Sequence, residues 1–307
     1  MMIQESFSFP AAHGDSLPAV LWLPDAAPRM IVQIAHGMTE HIGRFSPLAE
    51  FLTESGIAVI GFDLRGHGHN PGNPQFVSMS ESGWQDSLQD IRALSGLVQQ
   101  RFPGIPHALL GFSLGSFLVR DYLAQAREPL CGVILMGTGN QPSVVLTLLK
   151  ALVRTQIRRA GFEASTPLVR RLSFETYNQN FKPNRTEADW LCADAAELDA
   201  YLSDPLCRPG ISAGLFWMLL DSMQRTGAAD FAARWPRNLP VLLLSGAEDP
   251  VGNCGKGVEA VRRQLAASGI CVQQKLIPAA RHDVLHEEVS GGAAAARAEI
   301  RRFLQSL

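Results

Sequence analysis

Gly111-Phe112-Ser113-Leu114-Gly115 sets a serine between two glycines, directly after the apolar run 108–110 and before a helical pattern (Phe117, Leu118, Tyr122, Leu123). A serine hydroxyl is a weak nucleophile, so it needs presentation and a base. A sharp strand-to-helix turn supplies the presentation: it lifts the hydroxyl off its strand, and side chains flanking it would clash. The turn also aims a helix N-terminus at the reacting carbon, where partial positive charge favours an oxyanion.

At such a turn the partners follow in the order serine, acid, histidine. After the apolar run 241–244 comes Ser245-Gly246-Ala247-Glu248-Asp249-Pro250. Asp249 is preferred to Glu248 as the acid because it lies further round the loop and precedes a proline. After the run 272–277 comes Ala280-Arg281-His282-Asp283-Val284-Leu285-His286. His282 falls in the loop just beyond its strand and is the expected base; His286, one helical turn later, is read as structural. Ser113 Oγ would attack an acyl carbon, His282 would shuttle its proton, and Asp249 would fix the imidazole tautomer and stabilise the imidazolium. The oxyanion needs two donors. One is the Leu114 N–H; the other comes from Met38 or its neighbour, after the strand that ends at His36-Gly37, a loop that His36 shapes. His67-Gly68-His69 has a spacing that can hold a metal, but no Asp-His follows it, so neither a metal nor a cofactor is expected.

Elements able to position these groups are visible in the apolar periodicity. Residues 3–9 and 19–23 read as a hairpin around Gly14-Asp15, and 30–35, 57–62, 108–110, 133–136, 241–244 and 272–277 read as further strands. Helical spacing separates them over 44–55 and 82–102. Near-continuous Val, Ile and Leu strands alternating with helices indicate a mostly parallel, doubly wound α/β sheet covered on both faces. Between Gly137 and Val241 the strand rhythm stops, and that stretch reads as an inserted helical cap or lid. The expected division is 1–139 and 239–307 for the two parts of the core and 140–238 for the cap. Within the cap, 144–159 is an amphipathic helix with Lys150, Arg154 and Arg158 at i, i+4 spacing. Thr186-Glu187-Ala188-Asp189 reads as a capping box before a helix carrying Trp190 and Leu191. Residues 211–223 form an apolar helix.

Composition narrows the function classes. The 307 residues carry 27 Lys+Arg against 29 Asp+Glu, a net charge of −2, which offers no field to attract a polyanion, so nucleic-acid binding is not expected. Five cysteines without a C-x-x-C pair suggest neither a disulfide framework nor a structural zinc site. Met1-Met2-Ile3-Gln4-Glu5 lacks a basic and an apolar leader segment, and no window is long and apolar enough to span a membrane. A cytoplasmic protein is expected, with peripheral membrane contact through the basic cap helix as a further expectation.

Together these motifs resemble the monoacylglycerol lipase and lysophospholipase group of α/β-hydrolases. His36-Gly37-Met38-Thr39-Glu40-His41-Ile42-Gly43-Arg44-Phe45 is similar to that group's oxyanion loop, and Asp63-Leu64-Arg65-Gly66-His67-Gly68 to its D-x-R-G-H-G segment. The acid and histidine loops, and cap positions including Tyr177-Asn178 and Asp204-Pro205, match as well. The resemblance implies an α/β-hydrolase fold, Ser113, Asp249 and His282 as triad, and the Met38 and Leu114 amides as oxyanion hole. It further implies a small lipid-like ester as substrate, a monoacylglycerol or lysophospholipid. Leu148, Trp190, Phe216, Trp217 and Met218 are the expected lining of an acyl tunnel, with Leu149 and Leu152 turned toward a membrane. Phe112, Ser116 and Asn70 depart from the group's histidine, glycine and serine, and the first two alter the pocket floor. A peptidase, thioesterase or acyltransferase on the same residues, or a non-catalytic binding protein, remains open at this level, as does the oligomeric state.

Overall fold

A computed structural model describes residues 2–307 apart from Pro71, Pro74, Arg127, Arg208 and Pro209, and the backbone alone of Ser173. Eight strands form one sheet in the order β1-β2-β4-β3-β5-β6-β7-β8. β1 (Ile3–Pro10) and β2 (Ser16–Leu23) make the expected antiparallel hairpin, and β2 pairs antiparallel with β4 (Ile57–Phe62). From β4 onward every pairing is parallel, through β3 (Met30–Ala35), β5 (His107–Phe112), β6 (Gly132–Met136), β7 (Val241–Gly246) and β8 (Val272–Ile277).

β3 to β7 are buried at every position, which is why their sequences are apolar runs rather than alternations. Among the polar residues on these strands, Gln33 donates to the Ile91 carbonyl and accepts from Ser95 Oγ, so its amide is satisfied inside the core. Helices α1 (Ser46–Thr53) and α10 (Gly292–Gln305) cover one face of the sheet through Leu48, Leu52, Ile300 and Phe303. α2 (Gly83–Arg101), α3 (Leu114–Leu123) and α9 (Lys256–Ala267) cover the other through Ile91, Leu94, Leu118, Val258 and Val261.

Between β6 and β7 the sheet gains no strand among the described residues. That segment holds α4 (Ser143–Ala160), the short α5 (Pro167–Arg170) and α6 (Thr176–Asn178), then α7 (Ala195–Ser203) and α8 (Ala213–Thr226). α8 places Leu215, Phe216, Met218 and Leu220 in the same apolar cluster as α2 and α3. One expected helix is absent. Residues 186–191 form a closed turn, in which Asp189 Oδ1 accepts from the Thr186 N–H (3.0 Å) and the Leu191 N–H donates to the Ala188 carbonyl (2.9 Å). Asn178 Oδ1 takes the Trp190 N–H, and Arg281 takes the Asp189 carbonyl, so long-range partners replace the i−4 ladder that a helix would need.

Candidate active site

Ser113 lies between β5 and α3 with φ +50 and ψ −117, a conformation in which a non-glycine residue stores about 1–3 kcal/mol of strain. The flanking glycines are required by space. A Cβ at Gly115 would lie 2.0 Å from the Ala35 carbonyl oxygen, and one at Gly111 2.6 Å from that of Gly115. The turn thus packs directly on the end of β3 and the loop that follows it.

The three candidate groups form a hydrogen-bonded line. Ser113 Oγ is 2.8 Å from His282 Nε2, and His282 Nδ1 is 2.9 Å from Asp249 Oδ1. A carboxylate can only accept, so Nδ1 carries the proton and Nε2 is left to accept from the serine hydroxyl. Asp249 is fully buried and held by the Val251 N–H (2.8 Å) and Ser245 Oγ (3.0 Å), whereas Glu248 is exposed. Burial opposes charge on the His282 imidazole, but the carboxylate of Asp249, with those of Asp283 and Glu40, outweighs it and raises the pKa above the ordinary histidine value. Such a line can deprotonate a serine as it attacks an acyl carbon and return the proton to a leaving group.

Met38 lines the small cavity of about 20 Å³ beside Ser113, and Leu114 opens α3 immediately after the serine. His36 shapes the loop as expected: Nε2 accepts from the Leu64 N–H (2.9 Å), so Nδ1 donates to the Gly37 carbonyl (2.7 Å). Burial lowers its pKa, which keeps the ring neutral. His67 and His69 take different partners. His67 is buried, bonded to the Arg65 carbonyl and stacked edge-on with His36, while His69 is exposed and bonded to Asp63. Among the described residues the metal-ligating side chains that do cluster in threes are His41, Asp204 and Cys207. His41 is already bonded to Asp204 at 2.9 Å, and the Arg44 guanidinium acts on the same thiol. That arrangement joins the end of α7 to the loop after β3 and is a poor cage for a cation.

Sequence reasoning missed two features. Arg44 lies largely covered between the loops, donating to Glu40 Oε2 (3.1 Å) and Asp283 Oδ2 (2.6 Å) and lying over the Tyr201 ring. His286, expected to be structural, bonds Asp283 at 2.8 Å. The second feature is the lining. Of the five expected tunnel residues, Trp190 alone borders the cavity at Ser113. Leu148 faces outward, Phe216 is packed in the core, and Trp217 and Met218 border a separate groove. Phe174, Trp190, Leu191 and Tyr201 connect the small cavity to an adjoining cleft of about 280 Å³.

The mostly parallel eight-stranded sheet, with a serine on the elbow after its fifth strand, defines an α/β-hydrolase. The chain belongs to the Hydrolase_4 family, described as serine aminopeptidase, S33, whose model matches residues 26–289. It is similar to monoglyceride lipase from Rattus norvegicus, 29% identical over 78% of this chain and 71% of that protein. It is also similar to monoacylglycerol lipase from Mycolicibacterium smegmatis, 27% identical over 91% and 90% respectively. Among solved structures, a thermostable carboxyl esterase from Bacillus coagulans in complex with glycerol aligns with a TM-score of 0.89 at 24% identity, covering 100% of this chain and 99% of the other.

Proposed function

We propose that this protein hydrolyses carboxylic esters of lipid-like substrates, a monoacylglycerol or a lysophospholipid, through an acyl-enzyme on Ser113. The observation that carries the reading is the unbroken line from Ser113 to His282 to Asp249, at 2.8 and 2.9 Å. Ser113 Oγ adds to the ester carbonyl while His282 Nε2 takes its proton, and the oxyanion accepts from the Met38 and Leu114 N–H groups. Collapse breaks the ester bond, with His282 returning the proton to the departing alcohol. Water then repeats the sequence on the acyl-serine, releasing the acid and the free serine.

The family's description names an aminopeptidase, which would have to hold a substrate ammonium beside the serine. Glu40 and Asp283 are the carboxylates that line the cavity at Ser113, and Arg44 engages both. With both carboxylates already engaged by Arg44 and with Met38, Phe112, Phe174, Trp190 and Leu191 in the wall, an apolar acyl group fits the chemistry better. The names of the relatives point the same way.

The segment 140–238 acts in this reading as a cap over a core made of 1–139 and 239–307. No described helix is long and apolar enough to cross a membrane. α4 nevertheless exposes Val144, Val145, Leu148 and Leu152, with Arg154, Arg158 and Arg159 exposed further along the helix. Apolar side chains next to arginines suit peripheral contact with an anionic lipid surface by a cytoplasmic protein.

A fluorophosphonate probe is expected to label the wild-type chain and to spare Ser113→Ala. Equal labelling of both would remove the serine from the mechanism. Rates on matched ester, thioester and aminoacyl amide substrates then separate the esterase reading from a thioesterase or peptidase.

A further inference from the structure

Two aromatic rings from different parts of the chain lie against the His282 imidazole. Phe112, on β5, has its ring centroid 5.0 Å away, and Trp190, in the turn between α6 and α7, 5.1 Å away, both tilted by 34°. We propose that Trp190 is a positioning residue for the reaction: its indole, together with Phe112, holds the imidazole in register with Ser113 and stabilises the imidazolium. The proposal rests on the Ser113, His282 and Asp249 reading given above.

The turn that carries the indole is built onto the histidine loop. The His282 N–H donates to the Trp190 carbonyl (3.4 Å) and the Asp283 N–H to that of Leu191 (2.7 Å), while Arg281 Nη1 donates to the carbonyls of Asp189 (2.5 Å) and Cys192 (3.2 Å). Trp190 is itself fixed: its N–H donates to Asn178 Oδ1, and its ring is stacked on Phe174 at 5.9 Å and against Tyr177 at 5.3 Å. The indole therefore keeps one orientation, and the imidazole beside it gains a wall on a side where Asp249 and Ser113 provide none.

The chemistry gives that wall a second effect. His282 becomes a cation in both halves of the catalytic cycle, and an aromatic ring whose centroid is within about 6 Å attracts a cation, more strongly where water is excluded. His282 is buried, and the charged groups around it are Asp249 on the β7 loop, Asp283 on its own loop, and Glu40 on the oxyanion loop, the last two shared with Arg44. Replacing the indole by an aliphatic side chain leaves those charges in place and withdraws the π face from the cation. Loss of that attraction is expected to lower the His282 pKa. A cap movement that withdrew Trp190 would slow proton transfer as well as widen the cleft.

The test compares Trp190→Leu, Trp190→Phe and Ser113→Ala on a soluble short-chain aryl ester, measuring kcat and KM across pH and titrating the His282 ring nitrogens by NMR. In Trp190→Leu, kcat is expected to fall about tenfold with KM little changed, and the acid limb and the His282 titration to move about one pH unit lower. Trp190→Phe, which keeps a π face, should restore most of both. Should the leucine variant melt early, Trp190→Met carries the same expectation. A change in KM alone, or an unmoved His282 titration, would reduce Trp190 to a lining residue and overturn the proposal. Full turnover by Ser113→Ala would overturn the serine site itself; loss there with an indifferent Trp190→Leu overturns only the positioning role.

Discussion

Arg44 Nη2 donates to Asp283 Oδ2 across 2.6 Å, joining loops 239 positions apart in the chain. The same guanidinium holds Glu40, so one largely covered cation ties the loop after β3 to the histidine loop. Burial opposes the Asp283 charge, but His286 and Arg44 overcome it and hold its carboxyl far below the usual range. Replacing Arg44 by Met leaves two buried carboxylates without their cation, which should cost about 3–5 kcal/mol in urea unfolding at pH 7. A group with a depressed folded pKa contributes stability above its unfolded value, near 4, and loses it as pH falls through the folded value. The deficit of Arg44→Met should therefore shrink below pH ~4, and a deficit independent of pH would assign the loss to packing instead.

Asp249 bears on activity with the opposite sense in pH. Its carboxylate is the leading cause that raises the His282 pKa against burial, and His282 must be neutral to accept the serine proton. Wild-type kcat/KM should thus rise with pH through a value above 6.5. Asp249→Asn removes the charge and the fixed tautomer, so kcat should drop by about four orders of magnitude and the residual activity should persist to lower pH. An acid limb that stayed in place would mean that another group sets it.

Much of this site is legible from sequence because its chemistry sits at the ends of buried strands. β5, β7 and β8 each run into the loop that carries Ser113, Asp249 or His282, and apolar runs mark where the buried β5 and β7 stop, while β8 alternates at the sheet edge. The segment between β6 and β7 is less legible because its contacts are long-range. Thr186 to Asp189 has the pattern of a helix start, yet Asn178 and Arg281 capture the backbone groups that would have continued it. Local patterning likewise cannot tell that Phe216 faces the core and Leu148 the solvent, since both are apolar positions on amphipathic helices. Arg44 is recognisable as part of a motif, but its partner Asp283 is not, because nothing local couples them.

The exposed face of α4 offers a separate measurement. Val144 and Leu148 are one helical turn apart and 72% and 67% exposed, while Lys150 on the same helix is engaged by Asp221 and Gln224 of α8. A Val144→Ser, Leu148→Ser variant loses two exposed apolar groups without touching that contact. It should bind anionic vesicles at least about tenfold more weakly in co-sedimentation, with turnover of a soluble ester unchanged. Equal vesicle binding would remove α4 from the membrane-facing surface.

His107 opens β5 at the core of the sheet, 3% exposed, and among the described residues no group hydrogen-bonds either of its ring nitrogens. Burial drives its pKa down to about 4, with Glu128 offsetting little of the shift. The unfolded chain then binds a proton that the folded chain refuses between pH 6.5 and 4, so stability from this residue falls as pH falls across that window. The loss should reach about 3 kcal/mol once pH is below 4. His107→Leu removes the titrating group while filling much of the same space. It should unfold with a shallower loss of stability between pH 7 and 4.5 than the wild type, measured by urea midpoints at each pH. Parallel curves for the two proteins would show that His107 is protonated as readily in the fold as outside it.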